Sequence, residues 1–208
     1  MTEPKPEVLR WLLEEDNPSV RYYTLRDLLH QGPDAPELIA AKKSIMSKGA
    51  APEIVAEIRA PEYGSMRKDF YSKYKGLSWQ VLILAELGAE RTPAIAEACE
   101  SLLSNSQERV DGGFSVHTSE KTGGGLASIV IPCLTGNMVF TLIRLGYLDD
   151  PRVQKAIGWM AKYQRFDDAE GDPPKGPPYD RYEMCWGRHT CHMGAVKVLK
   201  ALAEIPTD

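Results

Sequence analysis

The sequence predicts an all-α protein built from stacked helical hairpins, and three observations predict it. Apolar residues recur at helical spacing along nearly the whole chain. No stretch sustains the alternation of a half-buried strand, and a helix–corner–helix unit repeats. Leu87-Gly88-Ala89-Glu90-Arg91-Thr92-Pro93 aligns with Leu145-Gly146-Tyr147-Leu148-Asp149-Asp150-Pro151 at an offset of 58 residues. The same register pairs Leu84 with Leu142 and Ala98 with Ala156, and at an offset of 57 Leu199 and Leu202 begin a third copy. A helical pair of this kind cannot bury its apolar face alone, so adjacent pairs must stack.

The elements follow in order. Val8, Leu9, Leu12 and Leu13 predict a short first helix ending near Asn17-Pro18; Val20 to Leu29 predict a second, closed by Gly32-Pro33. Further helices are expected at about 35–47, 52–59, 77–88, 93–105, 134–146, 151–164 and 189–204. Thr92-Pro93 and Asp150-Pro151 each place a capping oxygen just before a proline at the first helical position. Two connections are long: Arg109 to Ile131, with Asp111-Gly112-Gly113-Phe114 and the triplet Gly123-Gly124-Gly125, and Phe166 to Met184, with an acidic cluster and several prolines. Loops of that length inside a compact domain are usually functional or disordered.

Composition narrows the functional classes. The 208 residues suit about one domain, and 43% hydrophobic with 26% charged residues is ordinary for a water-soluble globule. Twenty-five basic against 29 acidic residues give a net charge of −4 with no basic stripe, which disfavours nucleic acid as a partner. The N-terminus lacks the apolar core of a secretory signal, and no apolar run approaches the roughly 20 residues that span a bilayer. A cytoplasmic address is expected, and there four cysteines read as thiols or metal ligands rather than disulfides.

Gln107 followed by Asp111-Gly112-Gly113-Phe114 resembles the repeat-closing motif of squalene–hopene cyclases and protein prenyltransferase β subunits. Pro132-Cys133-Leu134-Thr135-Gly136-Asn137 and Arg188-His189-Thr190-Cys191-His192-Met193-Gly194 look like the starts of two inner helices in that terpenoid cyclase-like superfamily. The resemblance covers roughly residues 76–205. It implies a partial α/α toroid over 61–208, while residues 1–60 read more like HEAT-type hairpins, and the two are expected to form one continuous domain. It also implies zinc, because Cys133 and His189 fall where the prenyltransferases begin inner helices with zinc ligands, although Ile131-Pro132 stands where those proteins keep an aspartate ligand.

The residues supply their own case for a metal. Moving 57 or 58 residues on from Cys133 reaches Thr190 or Cys191, so both regions occupy matching ends of successive inner helices, which pack about 8–10 Å apart. Cys185 and His189 share a face if that stretch is helical. Zinc favours thiolate and imidazole in tetrahedral sites, so the candidate set is Cys133, Cys185, His189 and Cys191, with His192 as an alternative to Cys191. The alternatives are a redox-active or structural thiol pair, and plain packing, the reading given to Cys99 in its Ala-rich helix. Asp111 reads as a turn residue before it reads as a catalytic carboxylate. The run Asp167 to Asp172 reads as a solvated loop before a cation or diphosphate–magnesium site. Trp79, Trp159 and Trp186, with Tyr22, Tyr23, Tyr71 and Tyr74, read as core before cavity lining.

Three functions from different classes remain open. One is a zinc-dependent enzyme acting on an apolar, isoprenoid-like small molecule. The second is a non-catalytic helical scaffold stapled by a structural metal and binding a protein or lipid. The third is an incomplete toroid that closes by self-association or with a partner chain, because an open solenoid end exposes apolar surface.

Overall fold

The computed structural model describes residues 5–60, 70–168, 170–181 and 183–207. Within them the protein is all-α apart from one two-stranded hairpin, Thr118–Ser119 against Gly124–Gly125. The N-terminal part comprises α1 (Pro6–Leu12), α2 (Pro18–Tyr23), α3 (Pro36–Ser44) and α4 (Ala50–Arg59). The first three start on a proline, whose fixed φ and missing N–H suit the first turn. The helix expected over residues 20–29 does not stay α-helical. The Thr24 hydroxyl donates to the Val20 carbonyl at 2.8 Å, and beyond it the ladder widens to a π turn, Thr24–Leu28, closed by the Leu29 N–H on the Thr24 carbonyl at 3.0 Å.

The repeats follow as α5 (Leu77–Glu86), α6 (Pro93–Asn105), α7 (Pro132–Arg144) and α8 (Pro151–Tyr163), then a single turn α9 (Glu183–Trp186) and α10 (His192–Leu202). Both Leu-Gly corners adopt the same geometry. Gly88 and Gly146 take φ of 81° or less on the positive side (75° and 81°), which an L side chain rarely adopts. Behind each glycine the next N–H reaches back across the helix end: Ala89 to the Leu84 carbonyl and Tyr147 to the Leu142 carbonyl, both at 2.9 Å. The next helix of each unit is capped as expected. Thr92 accepts from the Ile95 N–H at 3.3 Å, and Asp150 from the Arg152 N–H at 2.8 Å.

Helix α7 is the centre of the packing. It lies against α5, α8 and, most extensively, α10, and it buries ten of its residues, from Pro132 to Leu142. The α7–α10 crossing is close because of two glycines. A Cβ on Gly136 would stand 2.7 Å from the Lys197 carbonyl carbon, and one on Gly194 would stand 2.9 Å from the Pro132 side chain. One apolar cluster runs from Ile45 to Ala201, so α4 shares its core with the repeats; Leu25, Leu38 and Ala41 form a small second cluster beneath the first hairpins.

The Gly-rich connection after α6 is tied down rather than loose. The buried Gln107 amide donates to the carbonyls of Gly112 (2.9 Å) and Arg152 (2.7 Å), which joins the turn to the start of α8. Phe114 is fully buried, and its N–H donates to the Thr135 hydroxyl of α7 at 2.9 Å. The motif from Gln107 to Phe114 is thus a clamp between repeats. The capping carboxylate in this turn is not Asp111, as the sequence led one to expect, but Glu108, which accepts the Val110 and Asp111 N–H groups at 2.9 and 2.6 Å. Among the described residues no helix is long and apolar enough to cross a membrane.

Candidate metal centre

Cys133 is the second residue of α7 and buried, Cys185 lies half-buried in α9, and Cys191 is the residue that precedes α10. His189 sits in the link 187–191, which is not helical. The expected helical stripe through residues 185, 189 and 192 therefore does not form, and α10 begins at His192 rather than 189. The cause is a set of bonds to the segment that follows α8. The Arg165 guanidinium donates to the carbonyls of Gly187 (2.9 Å) and Arg188 (3.2 Å). The Thr190 hydroxyl donates to Asp167 (3.1 Å) and accepts from the Asp168 N–H (2.9 Å). The Arg165 bonds take two backbone carbonyls that a continuous helix would have used, and the Thr190 hydroxyl ties the same stretch to Asp167 and Asp168.

The donor groups separate into two sets. The three thiols lie towards the junction of α7, α9 and α10, within electrostatic reach of one another. Burial, reinforced by Cys133 and Cys191, pushes the Cys185 thiol up to about 12, and burial also raises Cys133 against the opposing charge of Lys197. The imidazoles face solvent instead. His189 Nδ1 lies 3.4 Å and His192 Nε2 3.7 Å from the same Asp168 oxygen, with side chains 76% and 81% exposed. The register argument thus places Cys133 beside Cys191, while His189 stands apart with Asp168. Among the described residues no three His, Cys, Asp or Glu side chains stand where they could hold an ion together. As placed, the residues do not fit the four-ligand zinc site expected from the sequence.

The other candidates resolve locally. Hydrogen bonding from Arg165, with a further bond from Thr190, holds the Asp167 carboxyl below the usual carboxylate range, so that part of the acidic run is engaged by protein; Ala169 within the run lies outside the described residues. Trp159, Trp186, Tyr163 and Tyr179 form a chain of edge-on and tilted ring contacts, with centroids 5.2–6.3 Å apart, and pack against the core. Trp79 stacks with Tyr71 and Tyr74. Cys99 is fully buried and raised to about 12 by burial, as a packing thiol should be.

No family model, characterised protein or solved structure matches this chain.

One surface stands out that the cysteine-centred reading missed. Helix α10 turns Gly194, Val198 and Ala201 into the core, and Met193, Val196 and Leu199 to the outside. At the offset of 57 that sets Leu199 on Leu142, these three correspond to Gly136, Val139 and Leu142 of α7, all buried, whereas in α10 they are 60%, 64% and 54% exposed. The same repeat positions are covered in the middle of the stack and open at its end. The spacing of three residues was visible in the sequence, but it reads equally as an ordinary core stripe.

Proposed function

We propose that the protein is a non-catalytic helical-repeat module of the α/α-toroid kind, an open arc with α5, α7 and α10 as its inner row. It acts by docking a helix onto the free face of α10. The observation that carries this reading is the apolar stripe Met193, Val196 and Leu199, exposed at positions that are buried one repeat earlier. Lys197 adds a positive charge to α10, which carries no acidic residue, while Lys200 is paired with Glu86 and His192 lies beside Asp168. The favoured occupant is therefore apolar on one side and acidic around it. Helix α1 of a second copy meets that description. It buries none of its own residues, exposes Val8 (41%) and Trp11 (64%), and carries Glu7 and Arg10 with Glu14, Glu15 and Asp16 just beyond its end against Lys5 before it, a net acidic surround. Tryptophan is a frequent anchor at protein interfaces.

Such docking is head-to-tail, because the two surfaces differ. Each apolar side chain brings about 1.5–3 kcal/mol when fully buried, against an association cost of about 4–15 kcal/mol, so the contact is weak and concentration-dependent. Sedimentation equilibrium tests it. Wild type is expected to associate, Val196→Glu and Trp11→Ala each to remain monomeric, and an equimolar mixture of the two variants to form dimers and nothing larger, since one intact surface survives on each. A wild type that stays monomeric at every concentration would sink the reading; a Trp11→Ala variant that associates normally would remove α1 from it.

A zinc-stapled form of the same module is a second reading, carried by the gathering of Cys133, Cys185 and Cys191. It requires the 187–191 link to swing His189 away from Asp168. Metal analysis of wild type, Cys133→Ser and His189→Ala decides it: stoichiometric zinc in wild type and its loss in both variants would support the staple, and a metal-free wild type would remove it.

A further inference from the structure

A cavity of about 430 Å³ opens between the N-terminal hairpins and the first Leu-Gly corner, within the size range of about 300–1,000 Å³ usual for small-molecule sites. Its walls divide by chemistry. Leu38, Ile39 and the Tyr22 ring supply an apolar surface, while Arg26, Lys42 and Lys43 bring three cations against one facing carboxylate, Glu90.

Two of those cations already have partners. Asp27 holds the Arg26 guanidinium through two bonds of 2.6 and 2.9 Å. Lys42 donates to the Gly88 carbonyl at 2.6 Å and lies 5.0 Å from the centre of the Tyr22 ring, and burial lowers its pKa. The Lys43 ammonium is exposed and makes no hydrogen bond or ion pair among the described residues. Gln31 is incomplete in the opposite sense. Its Nε2 donates to Glu37 at 3.3 Å, but its buried Oε1 has no donor, and a buried acceptor left unpaired costs about 1–3 kcal/mol.

We infer that this cavity binds a small amphipathic organic anion: an apolar body against Leu38, Ile39 and Tyr22, a carboxylate or phosphate facing Lys43, and a hydroxyl or N–H donated to Gln31 Oε1. The site does not involve α10, so it stands or falls independently of the docking proposed above.

Calorimetric titration with para-hydroxyphenylacetate tests the inference. Phenylacetate lacks the donor, tyramine reverses the charge, and phenyl phosphate replaces the carboxylate. The hydroxylated acid is expected to bind more tightly than phenylacetate, tyramine not to bind, and Lys43→Gln to weaken the acid about tenfold, the factor that corresponds to about 1.4 kcal/mol. Gln31→Leu is expected to erase the preference for the hydroxyl while leaving the dependence on Lys43. Tighter binding of phenyl phosphate than of phenylacetate, both without the donor, would assign the anionic group to phosphate; weaker binding would assign it to carboxylate. Failure of all three anions to bind, equal binding of tyramine and the acid, or a Lys43→Gln variant with wild-type affinity would overturn the inference. Lys43 is exposed, so its variant folds and the comparison holds.

Discussion

The α7–α10 crossing sets which face of α10 points outward, and one pair of substitutions measures how tight that crossing is. Gly136 and Gly158 both lie inside helices at ordinary negative φ, so alanine suits the backbone at each and adds about 1 kcal/mol of helix propensity. Their surroundings differ. A Cβ at 158 meets nothing within 4 Å, whereas one at 136 stands 2.7 Å from the Lys197 carbonyl carbon and 2.8 Å from both the Lys197 oxygen and the Val198 nitrogen. Those are backbone atoms, which cannot swing aside as the tip of a side chain can. Overpacking of this kind costs about 1–3 kcal/mol, and the upper part of that range applies here. After the propensity gain, Gly136→Ala is expected to lose about 1–2 kcal/mol, a fall in Tm of about 2–8 °C for a chain of this length. Gly158→Ala is expected to gain about 0.5–1 kcal/mol. Thermal and urea unfolding followed by circular dichroism would read both. A Gly136→Ala protein as stable as Gly158→Ala would refute the close crossing and the orientation of α10 derived from it.

Two further outcomes follow from the same contacts. Asp150 caps α8 and pairs with Arg152, which holds its carboxyl below the usual value of about 3.9, so its contribution is present above that value and is lost as pH falls through the lowered one. Asp150→Ala is expected to cost about 1 kcal/mol at neutral pH, whereas Asp150→Asn keeps a capping oxygen and flattens only the acid limb of the stability profile; an unchanged acid limb in the Asn variant would count against the pair. Burial pushes the Cys99 thiol up to about 12 and screens it from reagent, so native Cys99 is expected to alkylate far more slowly than in urea, and half-buried Cys185 to be slowed less. Mass spectrometry of iodoacetamide-treated protein checks this, and native labelling of Cys99 as fast as in urea would contradict its burial.

What the sequence revealed and what it hid divide by the range of the interactions involved. The Leu87-Gly88 and Leu145-Gly146 corners and the Thr92 and Asp150 caps rest on bonds within a few residues, so their residue types announce them. The π turn after Tyr23 is also local, but a threonine bonding back to its own helix is too common a pattern to single out. The break between α9 and α10 arises from Arg165 and Thr190, whose partners lie some twenty residues away, and no periodicity in 185–192 records it. That break is why His189, which the spacing set beside Cys185, faces Asp168 instead. The proximity of Cys133 to Cys191 did follow from repeat register alone, because stacked units carry equivalent positions together. The cavity at Lys43 and Gln31 was invisible for a plainer reason: its walls come from α2, the π turn and the link after it, α3 and the residue Glu90 beyond the first corner, and none of them carries a motif.

The proposed docking leaves the outer stripe of α10 free in the isolated chain and covers it on association. Methionine oxidation by brief hydroxyl-radical exposure, read by mass spectrometry over a range of protein concentrations, tests it with built-in controls. Met138 and Met160 are buried and should stay dark, while Met184, 84% exposed and off the stripe, should react throughout. Oxidation of Met193 is expected to fall as concentration rises while that of Met184 holds steady. Equal reactivity of Met193 at every concentration, or a parallel fall at both residues, would contradict it.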